Sequence, residues 1–162
     1  SRRFRISLTA PFRDLFDRIE AENAQLLYRD RYVAVGRKDH PILSNDLTLE
    51  TYARADHLLV SPNGASRSMV DDALSLSELS RTIKVAVPSL LSAISIVERS
   101  ELIVTLPNRV AQSLNSRFDI SFRPLPRQIV GFDIFTVRHD RNQNSPAITW
   151  IVDTLKTIGA KT

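Results

Sequence analysis

The chain has 162 residues, 43% of them hydrophobic and 25% charged, the size and balance of one ordinary domain or two small lobes, which excludes disordered and fibrous classes. It holds no cysteine, which removes disulfide frameworks, thiol nucleophiles and Cys-ligated zinc and fits a reducing compartment. The formal charge of +4 comes from arginines and lysines scattered among acids, the pattern of a solvated surface and not of a nucleic-acid groove.

Phe4, Ile6, Leu8 and Ala10 alternate with polar residues, which predicts a half-buried strand ending at Pro11. Phe12, Leu15, Phe16 and Ile19 then recur at helical spacing over about 14–23. Tyr32 to Gly36 is a compact β-branched strand. Thr48 is placed to cap a short helix reaching Arg54, and His57 to Ser61 is the next strand, closed by the turn cluster Pro62-Asn63-Gly64. A helix carrying Met69, Val70, Ala73 and Leu74 follows, with Ala65 or Ser66 near its beginning. Ile83, Val85 and Val87 alternate up to Pro88; Ser89 can then cap the helix Leu90 to Arg99. Glu101 to Leu106 reads as a strand buried on both faces, with Pro107 opening another helix. Strands are expected at 119–123 and 129–138. The last helix has Ser145 as cap, Pro146 at its first position, Ile148, Ile151, Val152, Leu155 and Ile158 as its apolar stripe and Gly159 as its stop. That stripe is expected to pack on the Phe4–Ala10 strand. Alternating strands and helices predict an α/β class with parallel sheets covered by helices.

Enzyme chemistry has little to build on. His40, His57 and His139 have no metal-ligand spacing, and surface or capping roles are expected for all three. Ser61 and Ser66 flank a strand-to-helix turn but lack the G-x-S-x-G of a nucleophile elbow. No stretch is long and apolar enough to span a bilayer, and Arg2, Arg3 and Arg5 do not precede a signal-peptide core, so a cytoplasmic protein without a membrane partner is expected. No cofactor is called for.

The ordered runs YRDRYVAVGRKDHPIL, HLLVSPNGAS, RTIKVAVPSLLSAISIVERSELIVTLPNRVA and TVRHDRNQNSPAITWIVDTL resemble the effector-binding domain of LysR-type transcriptional regulators over nearly the whole chain. The closing segment looks most like the branch of nodulation and aromatic-catabolism regulators. The resemblance implies a fold of two Rossmann-like lobes joined by crossing strands, similar to type 2 periplasmic binding proteins, with a small inducer held between lobes. The first lobe would be residues 1–32 with 134–162, and the second 33–133. Family pockets use strand ends and helix starts, where free backbone N–H groups favour anionic or carbonyl ligands. By position this nominates Thr9, Ala10 and Phe12 in the first lobe and Ser61, Asn63, Ser66 and Ser89, with Thr105 and Phe132, in the second as effector contacts; for each hydroxyl a plain helix cap is the competing role. The implied partners are a small effector, aromatic by the branch resemblance, a second copy of the regulatory domain, and DNA only through a separate N-terminal helix-turn-helix.

The chain departs from the family in one place. Family members carry a further strand and helix before the Tyr32 strand, whereas here Ala24 and Gln25 lead straight to Leu26 and Tyr28. The first lobe is therefore expected to be incomplete, with a segment missing near 24–25. The alternatives are a solute-binding protein of the same fold and a small serine hydrolase using Ser61 or Ser66, with His57 the nearest base in sequence.

Overall fold

The computed structural model describes residues 24–64, 68–138 and 144–160. Its elements run β1 (Ala24–Asp30), β2 (Tyr32–Arg37), a 3-10 turn (Pro41–Leu43), α1 (Leu49–Arg54), β3 (Asp56–Val60), α2 (Met69–Ser75), β4 (Thr82–Val87), α3 (Leu90–Val97), β5 (Ile103–Pro107), α4 (Asn108–Asn115), β6 (Ile120–Pro124), β7 (Phe132–Val137) and α5 (Pro146–Ala160). The chain divides into two units, Arg31–Val130 and the residues on either side of it. The strand Phe4–Ala10 and the helix over 14–23 lie outside the described residues, as does His139.

In the larger unit the sheet order is β4-β3-β5-β2-β6. β3 runs parallel to both β4 and β5, while β2 is antiparallel to β5 and β6. Side chains alternate across the sheet, as the pleat requires. Val33 and Val35 join Leu58, Val104 and Leu106 under α3 and α4, whose Ala93, Ile94, Val97, Ala111 and Leu114 complete one core. Ala34 and Ile103 face the other way, into a second core with Tyr52 and Ala53 of α1, Val70 and Leu74 of α2, and Leu125 and Ile129. Helices thus cover both faces, which explains why β2 and β5 read as continuous apolar runs.

Local signals set the helix starts. Thr48 caps α1 through a reciprocal capping box with Thr51. Ser68 caps α2, again reciprocally, with Asp71; Ala65 and Ser66, expected near its beginning, lie outside the described residues. Pro107 closes β5 instead of opening the helix, which begins at Asn108. The strand expected over 129–138 is confined to Phe132–Val137, and Ile129 is buried in the second core of the larger unit.

In the smaller unit β1 and β7 pair antiparallel, placing Arg29 opposite Asp133 with Nε to Oδ1 at 3.4 Å. Ala24 and Gln25, where a missing segment is expected, are consecutive residues of β1 and lie opposite Val137 and Thr136. Helix α5 packs on β1. Of its expected apolar stripe Val152 is buried and Ile148 half-buried, whereas Ile151 is 45% and Ile158 59% exposed; the Phe4–Ala10 strand expected beneath the stripe lies outside the described residues. Gly159 does not stop the helix, which continues to Ala160. A Cβ there would sit 3.2 Å from the Leu27 carbonyl oxygen, so glycine permits the close approach of helix to strand. Replacing Val152 by alanine should cost about 2 kcal/mol and Ile151 by alanine less than about 1 kcal/mol. Urea titrations of the two variants check this, and equal losses would put Ile151 back on a buried face. Among the described residues no helix is long and apolar enough to cross a membrane.

Candidate functional site

Because β3, β4 and β5 are parallel, their C-terminal ends meet at one edge of the sheet. From β3 the chain crosses to β4 on one side through α2 and then back to β5 on the other through α3. Such an order reversal leaves a crevice beyond the strand ends, the usual ligand position in open α/β sheets.

Two of the expected contacts sit together there. Ser61 follows β3, is buried, and its N–H donates to the Val87 carbonyl at the end of β4 (2.8 Å). Ser89, two residues past Val87, caps α3 by accepting from the Ser92 N–H (3.5 Å). They share the edge but not the face, since Ser61 leads towards α2 in one core and Ser89 opens α3 in the other. Asn63 is exposed in the intervening turn, where Gly64 adopts φ of 74° and donates to the Ser61 carbonyl. Thr105 lies on β5, half-buried, and Phe132 opens β7 in the smaller unit. Thr9, Ala10, Phe12 and Ser66 lie outside the described residues.

Of the polar cluster around Arg81 in the larger unit, sequence singled out only Thr105. Arg81, immediately before β4, has a side chain only 1% exposed. Its Nε donates to Asp71 Oδ1 (2.7 Å), its Nη2 to Asp71 Oδ2 (3.1 Å) and to Ser68 Oγ (3.0 Å), and its Nη1 to Tyr52 Oη (3.0 Å). Tyr52 Oη in turn lies 2.7 Å from Thr105 Oγ1. The cluster therefore joins α1, the start of α2, β4 and β5. Burial disfavours the Asp71 charge, but the hydrogen bonds from Arg81 and from the Ser68 backbone outweigh it and hold the carboxyl below its ordinary pKa. Burial likewise opposes the Arg81 charge, and the Asp71 hydrogen bond more than offsets it, raising the guanidinium. Desolvation raises Tyr52 against the pull of Arg81, so the phenol stays protonated. The Ser68-x-x-Asp71 spacing is the one sequence signal that points to this cluster.

His40 and His57 do not lie on the surface. His57 is fully buried, with Nε2 2.9 Å from the Tyr52 carbonyl and its ring edge-on to that of Tyr52. His40 is 5% exposed, with Nε2 3.0 Å from the Glu101 carbonyl. The Nδ1 atoms of both are buried without a hydrogen-bond partner among the described residues. Neither histidine therefore holds a serine hydroxyl, and each is engaged by a backbone carbonyl.

A family model described as the LysR substrate binding domain matches residues 12–159. The transcriptional activator NahR of Pseudomonas putida is 29% identical over 77% of this chain, and NagR of a Ralstonia species is 26% identical over 77%. The chain spans 42% of the length of each. Among solved structures, a probable transcriptional regulator from Pseudomonas aeruginosa is 29% identical with a TM-score of 0.69, over 83% of this chain and 43% of that one. The regulatory domain of MexT from the same organism is 23% identical with a TM-score of 0.69, over 83% of this chain and 66% of that one. These neighbours have the type 2 periplasmic-binding-protein-like α/β fold.

Proposed function

This chain belongs to the family of LysR substrate-binding domains, and on that premise we propose that it senses a small-molecule effector for a DNA-binding transcriptional regulator. The observation that carries the reading is the shared edge where β3 and β4 end, with the Ser61 N–H tied to Val87 and Ser89 opening α3 beside it. The start of the eight-residue α3 presents backbone N–H groups to an anionic or carbonyl group. In this reading Ser61, Asn63 and Ser89 contact the effector from the larger unit. Thr105 lies on β5 of the same unit, Phe132, nominated with the second lobe, opens β7 in the smaller unit, and Thr9, Ala10, Phe12 and Ser66 lie outside the described residues. The units Arg31–Val130 and its flanks serve as the second and first lobes, the first short of a strand and a helix near residues 24–25.

The protein acts by binding and not by catalysis. That reading is supported by its transcription-regulator relatives and by the backbone engagement of both described histidines. DNA contact falls to a separate helix-turn-helix domain and the regulator works in the cytoplasm. The regulatory domains pair with second copies of themselves, for which Trp150, Ile151 and Ile158 supply exposed apolar surface. The effector is an aromatic carboxylate or a close relative, the class that the branch resemblance favours. One neighbour, the effector-binding domain of QuiR, is described in complex with shikimate.

Benzoate serves as the probe. It should raise the melting temperature saturably, as any ligand of the native state does. Ser61→Ala and Asn63→Ala should each weaken its binding about tenfold, the effect of losing one hydrogen bond to a charged group. Absence of a saturable shift, or full affinity in both variants, overturns this site.

A further inference from the structure

We propose that the larger unit contains a second, internal binding site, under the first turn of α2, that takes one uncharged ring carrying an acceptor oxygen. A cavity of about 160 Å³ lies between β3, β5 and the start of α2. It is close in size to an engineered protein cavity of roughly 150 Å³ that takes benzene. Leu59, Met69 and Val70 give it apolar walls; Tyr32, Arg81 and Thr105 give it polar ones. A thioether beside a cavity of this size suits an aromatic guest, because sulfur contacts ring edges favourably.

The direction of the hydrogen bonds specifies the guest further. Arg81 Nη1 can only donate, so Tyr52 Oη must accept from it. Tyr52 and Thr105 share a single bond at 2.7 Å, to which either hydroxyl supplies the proton. Whichever donates, the other hydroxyl keeps a proton that no acceptor among the described residues takes. Thr105 lines the cavity and Tyr52 does not, so with Tyr52 supplying the shared proton the Thr105 hydroxyl is the donor offered to an acceptor oxygen on a guest. The guest is uncharged, because Asp71 already neutralises Arg81 through two hydrogen bonds and an anion here would lose its hydration without gaining a free countercharge. Every wall lies within Arg31–Val130, so this site does not depend on the effector reading and shares only Thr105 with it.

The chain has a single methionine and a single tryptophan, which makes the test direct. Met69 lines the cavity and Trp150 lies in the other unit. With methyl-labelled methionine, phenol should move the one Met69 methyl resonance saturably and leave the Trp150 indole signal in place. Benzene should bind at least tenfold more weakly than phenol, and benzoate should not move the Met69 signal. Thr105→Val removes the hydroxyl at the cavity wall, so the preference for phenol over benzene should fall at least fivefold while the Met69 signal keeps its folded-state position. No saturable movement with phenol, equal movement with benzoate, or an unchanged preference in Thr105→Val overturns the proposal. Benzoate binding seen by melting temperature without movement of Met69 leaves the effector reading intact, so the two ideas fail separately.

Discussion

Arg81→Met should destabilise the Arg31–Val130 unit by about 3 to 5 kcal/mol, read as a fall in the urea midpoint. The substitution keeps most of the side-chain volume and leaves Asp71 as the exposed consequence. Its carboxylate, 16% exposed, would retain only the Ser68 backbone and hydroxyl donors, and an uncompensated buried charge accounts for most of such a loss. Surface ion pairs provide the contrast. Lys38 and Asp119 are 63% and 71% exposed at 3.5 Å, so separating them should change little. The double variant Arg81→Met with Asp71→Leu should recover much of the stability because no charge is then left buried, and Arg81→Lys only part of it, since an ammonium cannot reproduce the guanidinium fork. A single-variant loss below about 1 kcal/mol would mean that the pair behaves like a solvated one.

This cluster also shows where sequence reading stops. Arg81 lies 10 residues from Asp71 and 29 from Tyr52, and Tyr52 lies 53 from Thr105. No periodicity reaches across such separations, and an arginine beside a strand reads as surface. Local chemistry was more legible. Proline and glycine mark the exits from β3 and β4, so Ser61 and Ser89 could be placed at strand ends, and β2, β3 and β5 follow from their apolar runs. Strand β1 escaped because AQLLYRD does not alternate; what holds it is its antiparallel pairing with β7, over a hundred residues away. In α5 the periodicity legible in the sequence includes the buried Val152, but the close contact of Gly159 with the Leu27 carbonyl, which turns that side of the helix to β1, has no periodic signal. The histidines were misplaced for a related reason. A strand-start histidine looks solvated until Tyr52 is known to cover it.

Lowering the pH from 7 to 5 should cost the protein roughly 2 kcal/mol through His57 alone, of roughly 3 kcal/mol available by pH 4. The Tyr52 carbonyl can only accept, so the neutral ring carries its proton on Nε2 and leaves Nδ1 bare, buried and without a hydrogen-bond partner among the described residues. Protonation would place a second N–H there with no acceptor, next to the Arg81 charge. Burial first, and then Arg81, accordingly lower the His57 pKa from 6.5 to about 4. The unfolded chain thus binds the proton from about pH 6.5 downward while the folded one refuses it until about pH 4, so stability rises with pH across that window and is level on either side of it as far as His57 is concerned. The Asp71 carboxyl, held below its ordinary value, also stabilises less as pH falls, but in a range beneath that window. Urea midpoints at pH 7 and pH 5 measure the effect, and His57→Gln, which keeps a donor for the Tyr52 carbonyl and cannot titrate, should flatten most of it. An identical pH slope in that variant, or an imidazole that titrates near 6.5 in the folded protein by NMR, would show that the ring is hydrated and that Nδ1 has found a partner.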